Sequence, residues 1–226
     1  MSAAAPVPAA VPPSSAGAPG SRATAPGYRP GRTLRLRVEA KRQLRRRRTM
    51  IVAALLVALP FILIAAFAVG GTPDGGGSNG PTLIDTATAS GANFAATTLF
   101  VSAGFVLVVP VALFCGDTVA SEAGWASLRY LLAAPVPRAR LLAVKLAVAL
   151  GFSAVAMVLL PAVALAAGTV AYGWGDLELP AGGALASGSA LPRLAIAVAY
   201  IFVGQLVTGA LAFWLSTRTD APLGAV

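Results

Sequence analysis

The chain has 226 residues, 57% of them hydrophobic and only 11% charged, with a mean hydropathy of +0.79 and a net charge of +9. A water-facing domain needs roughly 25% charged residues to clothe its surface, so these proportions exclude an ordinary soluble globule. Histidine is absent and Cys115 is the single cysteine, which excludes an intramolecular disulfide scaffold and removes the usual metal ligand and neutral-pH base.

Residues 1–31 hold seven prolines and no acid. Proline interrupts helix and ladder alike and nothing here offers a core, so the segment reads as a disordered tail. Over 32–49 the composition changes, and Leu34–Thr49 reads LRLRVEAKRQLRRRRT. Leu34 and Val38 share a helical face while Leu36 departs from it. The pattern predicts a short interfacial helix on the inner leaflet, or at the least a basic anchor held by anionic lipid. Eleven of the 17 basic residues precede Thr49. Their place beside an apolar run accounts for them without nucleic acid.

Four stretches then reach membrane-spanning length, which takes about 17 to 25 largely apolar residues. They run over about 50–69, 93–115, 141–170 and 194–215. Pro60, Pro110 and Pro161 are expected to bend the first three. The first run is longer than a secretory h-region and follows 49 residues of chain, so it reads as a span and not as a cleaved signal. The connections alternate in charge. Basic residues fill the segment before span one and recur at Arg129, Arg138 and Arg140, whereas Asp74, Asp85, Asp176 and Glu178 mark the other two loops. By the positive-inside rule the N-terminus and 117–140 are cytoplasmic. Arg193 sits awkwardly on the outer side, where it could snorkel to the headgroups. The predicted fold class is all-α: a polytopic membrane protein with an interfacial N-terminal helix and a transmembrane domain over 50–226.

The segment Gly116–Leu146 is richer than a linker. Helix is permitted from Val119 to Ala134, with Trp125, Leu128 and Leu132 on one face and Glu122 and Arg129 two turns apart beside it. Pro135 stops this helix and Pro137 extends Val136. Two readings stay open: a helix along the membrane that passes a push to spans two and three, or a set of lipid anchors. Lys145 either snorkels from the start of span three or pairs with a carboxylate. Gln205 and Thr208, three apart in span four, either hydrogen-bond across helices, which is preferred, or line a route.

Glu122, Gly124, Leu128, Leu131, Leu132, Pro135, Arg138 and Lys145 together resemble the signature of the ABC-2 type transporter permease family. Trp125 stands where that family usually has threonine. The resemblance implies a connecting helix followed by six transmembrane helices, of which this chain shows four, so its C-terminus is expected to be incomplete. It implies an exporter subunit in the cell inner membrane, paired with a second copy or a related permease and seated on ATP-binding subunits. On this reading Glu122, Gly124, Trp125, Leu128, Arg129, Leu132, Pro135, Arg138 and Lys145 are the candidates for contact with the ATPase. ATP and magnesium would sit on the partner subunit, because this chain has no Gly-x-x-x-x-Gly-Lys-Ser/Thr loop and its only lysines are Lys41 and Lys145. No cofactor, metal or catalytic residue is expected on the chain itself. The alternatives are a non-transporting membrane scaffold coupled to an ATPase, and an ion-driven carrier, although no acid lies within any span to serve a proton relay.

Overall fold

The computed structural model describes residues 36–70, 82–124, 138–179 and 182–218. In chain order these form α1 (Leu36–Leu44), α2 (Arg47–Gly70), α3 (Leu83–Thr88), α4 (Gly91–Ala103), α5 (Val108–Gly124), α6 (Arg138–Tyr172) and α7 (Ala190–Ser216). Between α6 and α7 a two-residue antiparallel hairpin pairs β1 (Leu177–Glu178) with β2 (Ala184–Leu185), followed by a 3-10 turn at Ser187–Ser189. The described chain is thus all-α apart from this small hairpin. Helices α2, α6 and α7 are long and apolar enough to cross a membrane, and α4 with α5 makes a fourth crossing if the bent pair is counted as one.

That pair is the second expected span, with its expected bend sharpened into a break just before Pro110. Residues 93–115 do not form one helix; α4 and α5 meet at a bend of 51°. The cause is local. Pro110 has no N–H to return to the preceding turn, and the chain folds tightly before it. The Leu107 amide reaches back five residues to the Ser102 carbonyl at 2.9 Å, and the amides of Val108 and Val109 share the Phe105 carbonyl at 3.1 and 3.3 Å. Pro110 then falls in the first turn of α5, where a missing donor costs nothing. In hydrocarbon each freed backbone group needs a partner, and Gln205 of α7 supplies one, donating from Nε2 to the Ala103 carbonyl at 3.2 Å. Pro60 and Pro161, by contrast, lie inside continuous helices.

The far end of α5 also differs from expectation. The helix runs on past Cys115 to Gly124, so Val119–Gly124 are its last turns and not the start of a separate helix. The basic stretch before the first span divides in two. Helix α1 ends at Leu44, a turn follows at Arg45 and Arg46, and Arg47 and Arg48 open α2. Thr49 fixes this corner by donating from Oγ1 to the Gln43 carbonyl at 2.8 Å. The packed face of α1 is polar, made by Glu39 and Gln43 one turn apart, while Leu36, Val38 and Leu44 point away from the protein. A helix with its apolar side outward suits a lipid surface.

The core lies where α5 packs on α7 and where α6 packs on α2, α4 and α5. Leu56, Leu99, Leu107, Val111, Phe114, Cys115, Met157 and Leu160 are buried there. Small residues set the approach of the helices. A Cβ at Gly209 would stand 3.3 Å from Cys115 Sγ and from Val111 Cγ1, drawing α7 against α5. At 35 residues, α6 is about 52 Å long against a hydrocarbon core of roughly 30 Å, so it links one end of the bundle to the other.

Candidate functional site

At the end where α1 joins α2, charges from four elements converge. Asp117 of α5 is almost fully buried and accepts from two arginines on separate carboxylate oxygens, Arg46 at 2.7 Å and Arg48 at 2.5 Å. Arg46 also donates to Ser121 Oγ at 3.1 Å, and Ser121 donates to the Asp117 carbonyl at 2.6 Å. Beside this group Lys145 of α6, only 1% exposed, donates to Glu39 Oε1 of α1 at 3.2 Å, and Arg42 stands 3.4 Å from the same oxygen. Ser216 at the end of α7 accepts the amides of Val119 at 3.1 Å and Ala120 at 3.0 Å. A buried charge is tolerable only when paired and hydrogen-bonded. These contacts therefore fix α1, α2, α5, α6 and α7 to one another at a single level.

Of the two readings for Lys145, the structure places the carboxylate pair, with Glu39 as partner. Glu122 and Gly124 occupy the last turn of α5, about one and a half and two turns past Asp117, and Arg138 opens α6. Trp125, Leu128, Arg129, Leu131, Leu132, Pro135 and the Pro-Val-Pro bend lie outside the described residues. Gln205 makes the cross-helix hydrogen bond already noted, and Thr208 is half-buried one turn on. Sequence reasoning missed Glu39 and Asp117 as members of the cluster. The signal for each was isolation: Glu39 is the single acid among eleven basic residues, and Asp117 is the only acid between Asp85 and Glu122.

Among the described residues the opposite end is held by hydrogen bonds and close packing, without ion pairs. Asn93 of α4 donates from Nδ2 to the Glu178 carbonyl at 3.0 Å and accepts the Glu178 amide at 2.9 Å, pairing with the hairpin as a strand would. Ser90 caps α4 by accepting the Asn93 amide at 3.2 Å and also donates to the Asp176 carbonyl at 3.1 Å. The Gly91 amide bonds the Gly173 carbonyl at 2.8 Å, and a Cβ on Gly91 would lie 2.5 Å from the Thr169 nitrogen. Gly168 is crowded in the same way by Phe94, whose ring packs on Phe67 and Tyr172. Nearby, Thr82 and Asp85 form a capping box on α3. The hydroxyl and amide of Thr82 hold the Asp85 carboxyl below its ordinary pKa.

Among the described residues no group of three or more Cys, Asp or Glu is placed to hold a metal ion. The site is an arrangement of ion pairs and helix ends that can hold or shift a packing. Residues 38–218 match a family model described as ABC-2 family transporter protein. No curated protein matches the chain. No solved structure matches it either. The matched stretch takes in α1, the charge cluster, every long apolar helix and the Glu122–Lys145 signature, and on that extent the chain belongs to the ABC-2 transporter family.

Proposed function

We propose that the chain is the membrane subunit of an ATP-driven exporter, and that a separate ATP-binding subunit works it through the connection between α5 and α6. The observation that carries this reading is the continuity of α5. It runs unbroken from the turn at Pro110, past Asp117, to Glu122 and Gly124. A push on that end of the helix acts directly on the carboxylate that ties α5 to the base of α2. Closure of the ATPase pair would displace α5 and α6 together, and the packing of both against α7 would carry the change to the membrane route. Coupling of this sort requires two arrangements with different contacts, and the ion pairs at Asp117 and Glu39 provide contacts that can differ. The functional unit is two such subunits in the inner membrane with the N-terminus cytoplasmic, and ATP and magnesium are bound by the partner.

The test is charge reversal at Glu122 in the intact complex. Glu122→Arg is expected to lower co-purification of the ATP-binding subunit about tenfold, the scale set by one lost charge-assisted contact, while membrane insertion stays normal. Unchanged co-purification and unchanged vesicle transport would remove Glu122 from the mechanism. Transport that persists without the ATPase would favour the ion-driven carrier. Association with no cargo-dependent ATP turnover would favour the scaffold.

A further inference from the structure

Arg193 is the charge that neither the fold nor the proposed coupling uses. It lies on the first turn of α7, exposed, at the end of the bundle opposite the basic cluster. Among the described residues it has no ion pair. Every other described cation is at the other end of the molecule. Arg193 stands at the rim of a cavity of about 310 Å³ between α4, α6 and α7, lined otherwise by apolar side chains such as Leu99, Phe100 and Leu177.

A second, wholly apolar cavity of about 450 Å³ lies beside it in the groove between α6 and α7, sharing Leu165, Leu191 and Leu194 with the first but not lined by Arg193. The first cavity is thus an apolar trough between α4 and α7 with a cation at its outer mouth. From Ala190 to Ile201 it follows eleven residues of α7, about 16 Å, which is close to half of the roughly 30 Å hydrocarbon thickness. Its depth is therefore that of one leaflet. The positive end of the α7 peptide dipole adds to the field of the guanidinium at the mouth.

We infer that this trough binds an anionic phospholipid of the outer leaflet, its phosphate on Arg193 and one acyl chain laid between α4 and α7. An arginine takes a phosphate through paired N–H donors, and an acyl chain fills an apolar groove that no side chain occupies. The length match and the lone cation at one end select a lipid over a packed helix, which would need apolar contact along the whole trough and no charge at its rim. The inference does not depend on ATP coupling.

The full chain can be reconstituted in nanodiscs of phosphatidylcholine containing a minor share of phosphatidylglycerol, then released into detergent and weighed by native mass spectrometry. The wild type is expected to keep a bound phosphatidylglycerol in preference to phosphatidylcholine. Arg193→Gln, at an exposed position that the fold does not need, is expected to lower that retention about tenfold, and Arg193→Lys to keep part of it. Ala197→Trp fills the trough and is expected to abolish retention with the charge intact, its gel-filtration profile confirming a folded chain. Equal retention of the two lipids, or retention unaffected by Arg193→Gln, would overturn the proposal. So would efficient cross-linking of Ala197→Cys between two copies in membranes, which would make the occupant a second chain.

Discussion

Where α1 meets α2, formal charges from several helices gather over Asp117 and Glu39; at the other end a single amide, Asn93, grips the hairpin through its backbone while two glycines let α4 and α6 touch. The first arrangement is long-ranged, made by flexible side chains, and can exchange partners without unfolding a helix. The second is short-ranged and steric, with backbone atoms as partners, and has no alternative close at hand. The difference teaches which end is suited to move. A set of ion pairs offers more than one arrangement of similar energy, whereas a close backbone approach is either made or lost.

The largest effect is expected at the Glu39–Lys145 pair. Glu39→Gln leaves a buried ammonium with its main partner neutralised and should cost about 3 kcal/mol, the scale for breaking a buried pair. The double variant Glu39→Gln, Lys145→Met should cost less than the single one, because no charge is then stranded. Unfolding in detergent, followed by circular dichroism, gives both values; strict additivity would mean that the pair is not coupled.

Next in size is Gly91→Ala. The new methyl would meet backbone atoms of Thr169 that cannot swing aside, so a loss of about 2 kcal/mol is expected, typical of overpacking. The same readout applies, and a neutral result would show that α4 and α6 can part cheaply, erasing the contrast between the ends. The smallest effect is Asn93→Ala, which removes two hydrogen bonds to the Glu178 backbone and should cost about 1 to 2 kcal/mol. Faster amide hydrogen exchange confined to the hairpin would sharpen the comparison. Exchange that spreads to α5 would show that the hairpin end also governs the bundle.

Much of this architecture was legible from composition. Apolar runs of membrane length announced α2, α6 and α7 because a helix in lipid must be apolar on nearly all sides. The residues of the break between α4 and α5 were visible as Gly104 and Pro110, yet the same proline chemistry leaves α2 and α6 continuous. Whether the helix breaks depends on what can satisfy the carbonyls freed at the bend, and Gln205 lies 102 positions from Ala103. The candidate site was legible as a segment but not as a cluster. Glu122 and Lys145 stood out by motif, while Glu39 and Asp117 gained meaning only when α1 folded back on α6 and α5 came beside α2.

The sequence by itself determined the solvent of this protein, the number of its apolar runs, the sidedness of its charge and its family signature, since these depend on residue types and their local spacing. The tertiary structure decided which charges pair, where the second span breaks, which glycines are contact points and where an apolar trough opens beside Arg193. Each of those joins residues far apart in the chain, and a one-dimensional pattern carries no information about which distant backbone will come within hydrogen-bonding reach.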